Sequence, residues 1–156
     1  MSFRGQTFNR IDIRISSWMA ANGLFLLRIS IGIIFIWFGV LKFFPGASPA
    51  ESLAYRTIDL LTFGLLSKKT ILFGLAIWEV AIGLGLLFKV LLREVLLLMY
   101  LQMLGTLTPI LIFPEEVFYI FPYSLTLEGQ YIIKNLVVIS SGIVLGATVR
   151  GGKLIA

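Results

Sequence analysis

The groups able to do chemistry in this chain are few, and two absences narrow them first. Its 156 residues include no histidine and no cysteine. That removes disulfides, thiol redox chemistry, Fe–S ligation, the commonest haem ligand and the usual general base. Proton or electron chemistry then falls to carboxylate, lysine, arginine, tyrosine or a bound organic cofactor. There is no nucleotide-binding motif, P-loop, metal-ligand spacing or nucleophile–base pair, so no metal or covalently held cofactor is expected. What is left is a set of polar residues inside apolar runs. Glu79 sits midway between Lys69 and Lys89, and Gln102 lies at the centre of the next apolar run. A charge deep in a bilayer costs at least about 2.5–3.5 kcal/mol unless it is paired or faces a cavity.

Long side chains could reach that depth from either end. Arg28 lies roughly 8 Å into the first apolar run at 1.5 Å per residue, and Lys134 enters the last run from the opposite side. A ligand-binding or purely structural cluster of Arg28, Glu79, Gln102, Lys134 and Asn135 is therefore expected. Arg28, Gly32, Phe35, Gly39 and Lys42 alternate by four and three, which places them on one helical face. Gly32, Gly39 and Gly83 would let neighbouring backbones approach, with Lys42 as a secondary member of the cluster. Gln102, Gly105, Thr106 and Pro109 form a similar face, as do Asn135, Gly142 and Gly146. The alternative for Arg28, Lys42 and Lys134 is to snorkel to the headgroups. Glu79 has no such escape.

The elements that carry these residues follow from composition. The chain is 58% hydrophobic and 13% charged, whereas soluble domains run nearer half and a quarter. The expected fold is an all-α integral membrane bundle of four transmembrane helices, at about 23–44, 70–88, 90–113 and 131–149. Residues 1–22 read as a basic segment, either disordered or a short interfacial helix, with Ile11, Ile15, Trp18 and Met19 on one face. The first span follows as an uncleaved helix. Between spans one and two, Ser48-Pro49-Ala50-Glu51 reads as a capping box opening an interfacial helix to about Leu66. Residues 114–130 read as a loop, and 150–156 as a short tail.

Charge gives the topology. Arg4, Arg10, Arg14, Lys89, Arg93, Arg150 and Lys153 fall on one side, and Lys42, Arg56, Lys68 and Lys69 on the other with most of the acids. The first side, with both termini, is expected to be cytoplasmic. The net charge of +5 flanks apolar spans and forms no basic stripe interleaved with aromatics, so the bilayer, not nucleic acid, is the expected partner.

Three blocks resemble a known family. Leu27-Arg28-Ile29-Ser30-Ile31-Gly32 followed by Trp37-Phe38-Gly39-Val40-Leu41-Lys42-Phe43-Phe44-Pro45 is similar to the opening helix of the DoxX-like family of small bacterial membrane proteins. Trp78-Glu79 with Gly83 resembles its second helix, and Glu128-Gly129-Gln130-Tyr131 leading to Lys134-Asn135 its last. The likeness covers most of the chain from Leu26 onward; the basic N-terminal extension and much of Pro114–Leu127 lie outside it. It implies a four-helix fold in the bacterial inner membrane. Some members of the family are similar to a small subunit of thiosulfate:quinone oxidoreductase, and others are tied to oxidative or reactive-chlorine stress. Related sequences can carry a histidine around the third helix, where this chain has Gln102, which sets a haem or proton-relay role in doubt.

Three functions compete at this stage. The first is a subunit or accessory of quinone-linked redox or oxidative-stress metabolism, with the polar cluster holding a quinone headgroup or docking a membrane redox enzyme. The second is a non-enzymatic scaffold or assembly protein whose charges only hold the bundle together. The third is a transporter of a small solute, which at this size needs a homo-oligomer.

Overall fold

Nothing between Phe3 and Leu41 stops a helix. The segment has no proline, and its glycines (Gly5, Gly23, Gly32 and Gly39) cost only about 1 kcal/mol each. The computed structural model describes residues 3–152 and Leu154, with side chains from Asn9 onward among the N-terminal residues. In it Phe3–Leu41 is one continuous helix, α1. The expected division into a separate segment at 1–22 and a span at 23–44 is thus replaced by a single rod. At 1.5 Å per residue it is roughly 58 Å long, about twice a bilayer's hydrocarbon thickness. It ends in tight turns at Lys42–Phe44 and a left-handed Gly46 (φ 77°). Of the tail, Lys153, Ile155 and Ala156 lie outside the described residues.

A short helix, α2 (Glu51–Leu61), follows. The expected capping box does not form. Ala50 stands at the N-cap position without a side-chain bond, and the Glu51 carboxylate instead accepts from the Gly46 N–H at 2.7 Å. Ser67 does cap the next helix, α3 (Lys68–Phe88), accepting from the Thr70 N–H at 3.2 Å. Lys89 and Leu91, both left-handed (φ 57° and 47°), make the tight reversal into α4 (Leu92–Leu107). Pro109 lacks the N–H that would have served the Gly105 carbonyl. The Thr108 hydroxyl and N–H serve it instead, at 2.7 and 3.3 Å, and α4 gives way to a short α5 (Pro109–Ile112).

The stretch expected as a loop is ordered: α6 (Pro114–Val117), then a hairpin of β1 (Phe118–Ile120) and β2 (Ser124–Leu125). The strands are antiparallel, pairing Phe118 with Leu125 and Ile120 with Ser124. Thr126 locks this unit to α7 (Leu127–Thr148). Its hydroxyl donates to the Glu116 carbonyl at 2.6 Å and accepts from the Gly129 N–H at 3.0 Å.

The helices α1, α3, α4 and α7 are packed antiparallel in that ring order, and α1 and α3 make the most extensive contact. Four helical stretches are long and apolar enough to cross a membrane: Asn9–Leu41, Lys68–Phe88, Leu92–Ile112 and Leu127–Thr148. Glycine sets the α1–α3 crossing. A Cβ on Gly83 would lie 2.7 Å from the Gly32 carbonyl oxygen and 2.8 Å from the Ile36 nitrogen. One on Gly39 would lie 3.0 Å from the Glu79 Cβ. Near the α3–α4 turn the interior is filled by Ile31, Phe35, Ile82, Leu86, Val95, Leu96, Met99, Met103 and Leu145. At the opposite end Leu53, Val117 and Ile132 form a smaller cluster joining α2, α6 and α7.

Candidate functional site

Between these two clusters the bundle is not filled by side chains. A cavity of about 690 Å³ lies there, walled mainly by apolar residues of α1, α3, α4 and α7 and roofed by α2. Lys42, Glu79, Gln102, Thr106 and Asn135 converge on it from several helices, and Ser48, Thr57, Thr70 and Glu128 also stand on its lining.

Glu79 is the centre. The Gly39 contact seats α1 directly on its Cβ, so Lys42, one turn later, is carried alongside it. The Lys42 ammonium donates to Glu79 Oε2 at 2.6 Å, and the Gln102 amide donates to Oε1 at 2.8 Å. The side chains of the pair are only 9% and 10% exposed. Lys42 also leans toward the Phe38 carbonyl at 3.4 Å. An ammonium has three N–H donors and an amide two. With those bonds made, one N–H remains on each of Lys42 and Gln102, both of which line the cavity. Beside them the Asn135 amide donates to the Thr106 hydroxyl at 3.1 Å, and Thr106 donates to the Met103 carbonyl at 2.9 Å. The rings of Phe38 and Tyr131 meet edge-on, 6.4 Å between centres, across the α1–α7 side of the cavity.

The structure brings together Glu79, Gln102 and Lys42, with Asn135 on the same cavity wall. It does not bring in Arg28 or Lys134. Arg28 donates to the Leu86 and Leu87 carbonyls, the latter at 2.8 Å, and lies 5.6 Å over the Phe25 ring. The last carbonyls of a helix have no partner within it. Arg28 therefore closes the C-terminal end of α3, about 10 Å along the helix from Glu79. Lys134 is exposed, with its ammonium 5.8 Å over the Tyr131 ring. Gly32, Gly39 and Gly83 lie at the α1–α3 crossing and touch no ligand space, apart from holding Lys42 and Glu79 in register.

Sequence reasoning put Arg28 ahead of Lys42 because it compared each residue's depth with its own span alone. The glycine contacts would have decided it. Pairing Gly32 with Gly83 in an antiparallel crossing leaves Arg28 level with Leu87, and the Gly39–Glu79 contact brings Lys42, one turn on, within side-chain reach of the carboxylate. At the α2 end, Glu51 takes a bond from Lys68 at 3.1 Å, and Arg56 pairs with Glu116. The Gly46 N–H first, then Lys68, hold the Glu51 carboxyl below its ordinary value. Both pairs tie the roof helix to its neighbours.

Among the described residues, no group of three or more acids is close enough to hold a metal ion. Comparison of the chain with protein-family models, curated proteins and solved structures finds no match in any of the three.

Proposed function

We propose that this chain is a multi-pass inner-membrane protein, DoxX-like, that binds the headgroup of a lipid-soluble quinone and serves as a subunit or accessory of quinone-linked redox or oxidative-stress metabolism. The four apolar helices support the membrane reading, and the excess of lysine and arginine at one end supports cytoplasmic termini. One observation carries the ligand. A large, mostly apolar cavity ends on a small set of fixed hydrogen-bond donors, which is the usual character of a small-molecule site. Quinone oxygens accept hydrogen bonds, and the free N–H groups of Lys42 and Gln102 supply them. Glu79 accepts from both residues and so fixes the donors' direction. On this reading the electrons would come from a partner enzyme.

The test is binding of decylubiquinone to the purified protein by isothermal titration calorimetry, comparing wild type with Lys42→Met and Glu79→Gln. Weakening of about tenfold or more in both variants is expected, from loss of a charge-assisted donor or of its orientation. Equal affinity in all three proteins removes the site assignment.

A scaffold reading has its own support. Every buried side-chain nitrogen and oxygen among the described residues has a partner within the chain, as a purely structural ion pair requires. On that reading the same substitutions lower stability and no quinone binds at all.

A further inference from the structure

The cavity is not closed on all sides, and its opening has a definite place. Helices α3 and α4 are pinched together at their turn, where a Cβ on Gly85 would strike Val95. They are joined again at mid-height, where the Trp78 indole donates to the Leu98 carbonyl at 3.2 Å and Glu79 meets Gln102. Beyond that point they separate. A Cβ built on Gly74 or on Gly105 meets no atom within 4 Å. Both glycines line the cavity, and so do Trp78 and Leu101, which are 38% and 48% exposed. The interior space therefore reaches the outer surface between α3 and α4. On the roof side the opening is bounded by Ile58 and Leu61 of α2, whose helix packs on both α3 and α5. The opposite seam, between α1 and α7, is crossed by the Phe38 and Tyr131 rings.

We infer that the gap framed by α2, α3 and α4 is a lateral window through which a single-tailed amphiphile is held, its polar head on Lys42–Glu79–Gln102 and its apolar tail running out between Gly74 and Gly105. This rests on the binding reading of the same cavity and adds its route and the shape of its ligand. Gly74 lies five residues, roughly 8 Å, from Glu79 toward the α2 end of the bundle. The window thus faces hydrocarbon, not headgroups, in the leaflet on the α2 side. Its rim is mostly apolar: the Trp78 indole nitrogen is already engaged, and Thr70, one turn beyond Gly74, adds a hydroxyl at the lining's edge. A water-soluble solute gains nothing from such an opening. A lipid-borne ligand gains a direct route from the hydrocarbon, and its tail can stay there while the head sits in the cavity.

The empty space at both glycines makes the window testable without disturbing the core. Gly74→Phe and Gly105→Phe each place a ring in the gap, against no existing atom at the Cβ. Each is compared with wild type, by calorimetry in detergent, for two probes sharing one head: decylubiquinone, and the tailless 2,3-dimethoxy-5-methyl-1,4-benzoquinone. The expected result is a loss of about tenfold or more for the decyl probe, the scale of an overpacking clash, with the tailless probe bound as by wild type. Unchanged decyl affinity overturns the window, while the binding site stands if Lys42→Met still weakens both probes about tenfold or more. An equal loss of both probes also overturns it, since the rings would then act on the headgroup site. If wild type binds neither probe, window and binding site fall together.

Discussion

Exchange of the two charges at the cavity floor is a sharp probe of what the pair does. Lys42→Met leaves Glu79 with Gln102 as its only partner, at 2.8 Å. Glu79→Gln preserves that amide contact but leaves the Lys42 ammonium facing only the Phe38 carbonyl at 3.4 Å. Both side chains are about nine-tenths buried, so solvent screens the loss weakly. Breaking one side of such a pair costs about 3–5 kcal/mol, because the remaining charge is stranded. Against a total stability of about 5–15 kcal/mol, each single change should lower the melting temperature by on the order of 10 °C. The double variant strands nothing. It replaces the pair by an apolar chain and an amide that still bonds Gln102, and it should regain most of the loss. The assay is a double-mutant cycle on thermal unfolding in one detergent, read by the monodisperse fraction surviving each temperature. A coupling of at least about 3 kcal/mol is expected, at or above the top of the range for contacting residues, because the double variant should cost far less than the two single losses together. Losses that simply add, to within about 0.5 kcal/mol, refute the pairing. The same double variant separates the two functional readings: a folded protein that no longer binds quinone assigns the charges to the ligand and not only to the bundle.

Other outcomes follow from individual contacts. Arg28→Ala frees the Leu86 and Leu87 carbonyls at the end of α3 and should cost about 1–3 kcal/mol, with Arg28→Lys restoring part of it and quinone affinity unchanged in both. Gly83→Ala must push backbone from backbone at the α1–α3 crossing and should destabilise by about 1–3 kcal/mol. Gly23→Ala, in open space on α1, should stabilise by up to about 1 kcal/mol; thermal melts of the two compare them directly. Glu51 has its folded pKa lowered below the ordinary 4.5 by the Gly46 N–H and Lys68. Its stabilisation is therefore full above 4.5 and is lost as pH falls through the lower folded value. Melting temperature measured across that range should fall more steeply for wild type than for Glu51→Gln.

Much of the architecture could be read from the chain because apolar length is a strong signal. Four stretches of sufficient length and apolarity stand out, and the structure makes each helical, the last three with ends shifted by a few residues and the first beginning far earlier. The joint between the N-terminal segment and the first span was misplaced for a physical reason. A change from polar to apolar composition marks a change of solvent, not a break in backbone hydrogen bonding, and α1 runs through Asn22–Gly23 without interruption. The hairpin at Phe118–Leu125 was missed because strands of three and two residues carry no periodicity. At the site, the depth of Glu79 and Gln102 was legible, whereas the choice between Arg28 and Lys42 was not. That choice depends on how two helices are offset along each other, which no single helix encodes.

The same offset accounts for the cavity. Where α1 meets α3, facing glycines remove the side chains between the backbones, and the helices lie close along most of their shared length. Where α3 meets α4, the glycines are displaced from the contact. Gly85 tightens the turn, but Gly74 and Gly105 sit beyond the Glu79–Gln102 bond, where a large side chain would have bridged the gap. Pro109 then breaks α4 one turn after Gly105, and the hairpin with α2 closes the end of the bundle without filling its middle. Space is therefore left on one side of the carboxylate only. The pairing of an open apolar gap with oriented donors is what favours a ligand over a strut.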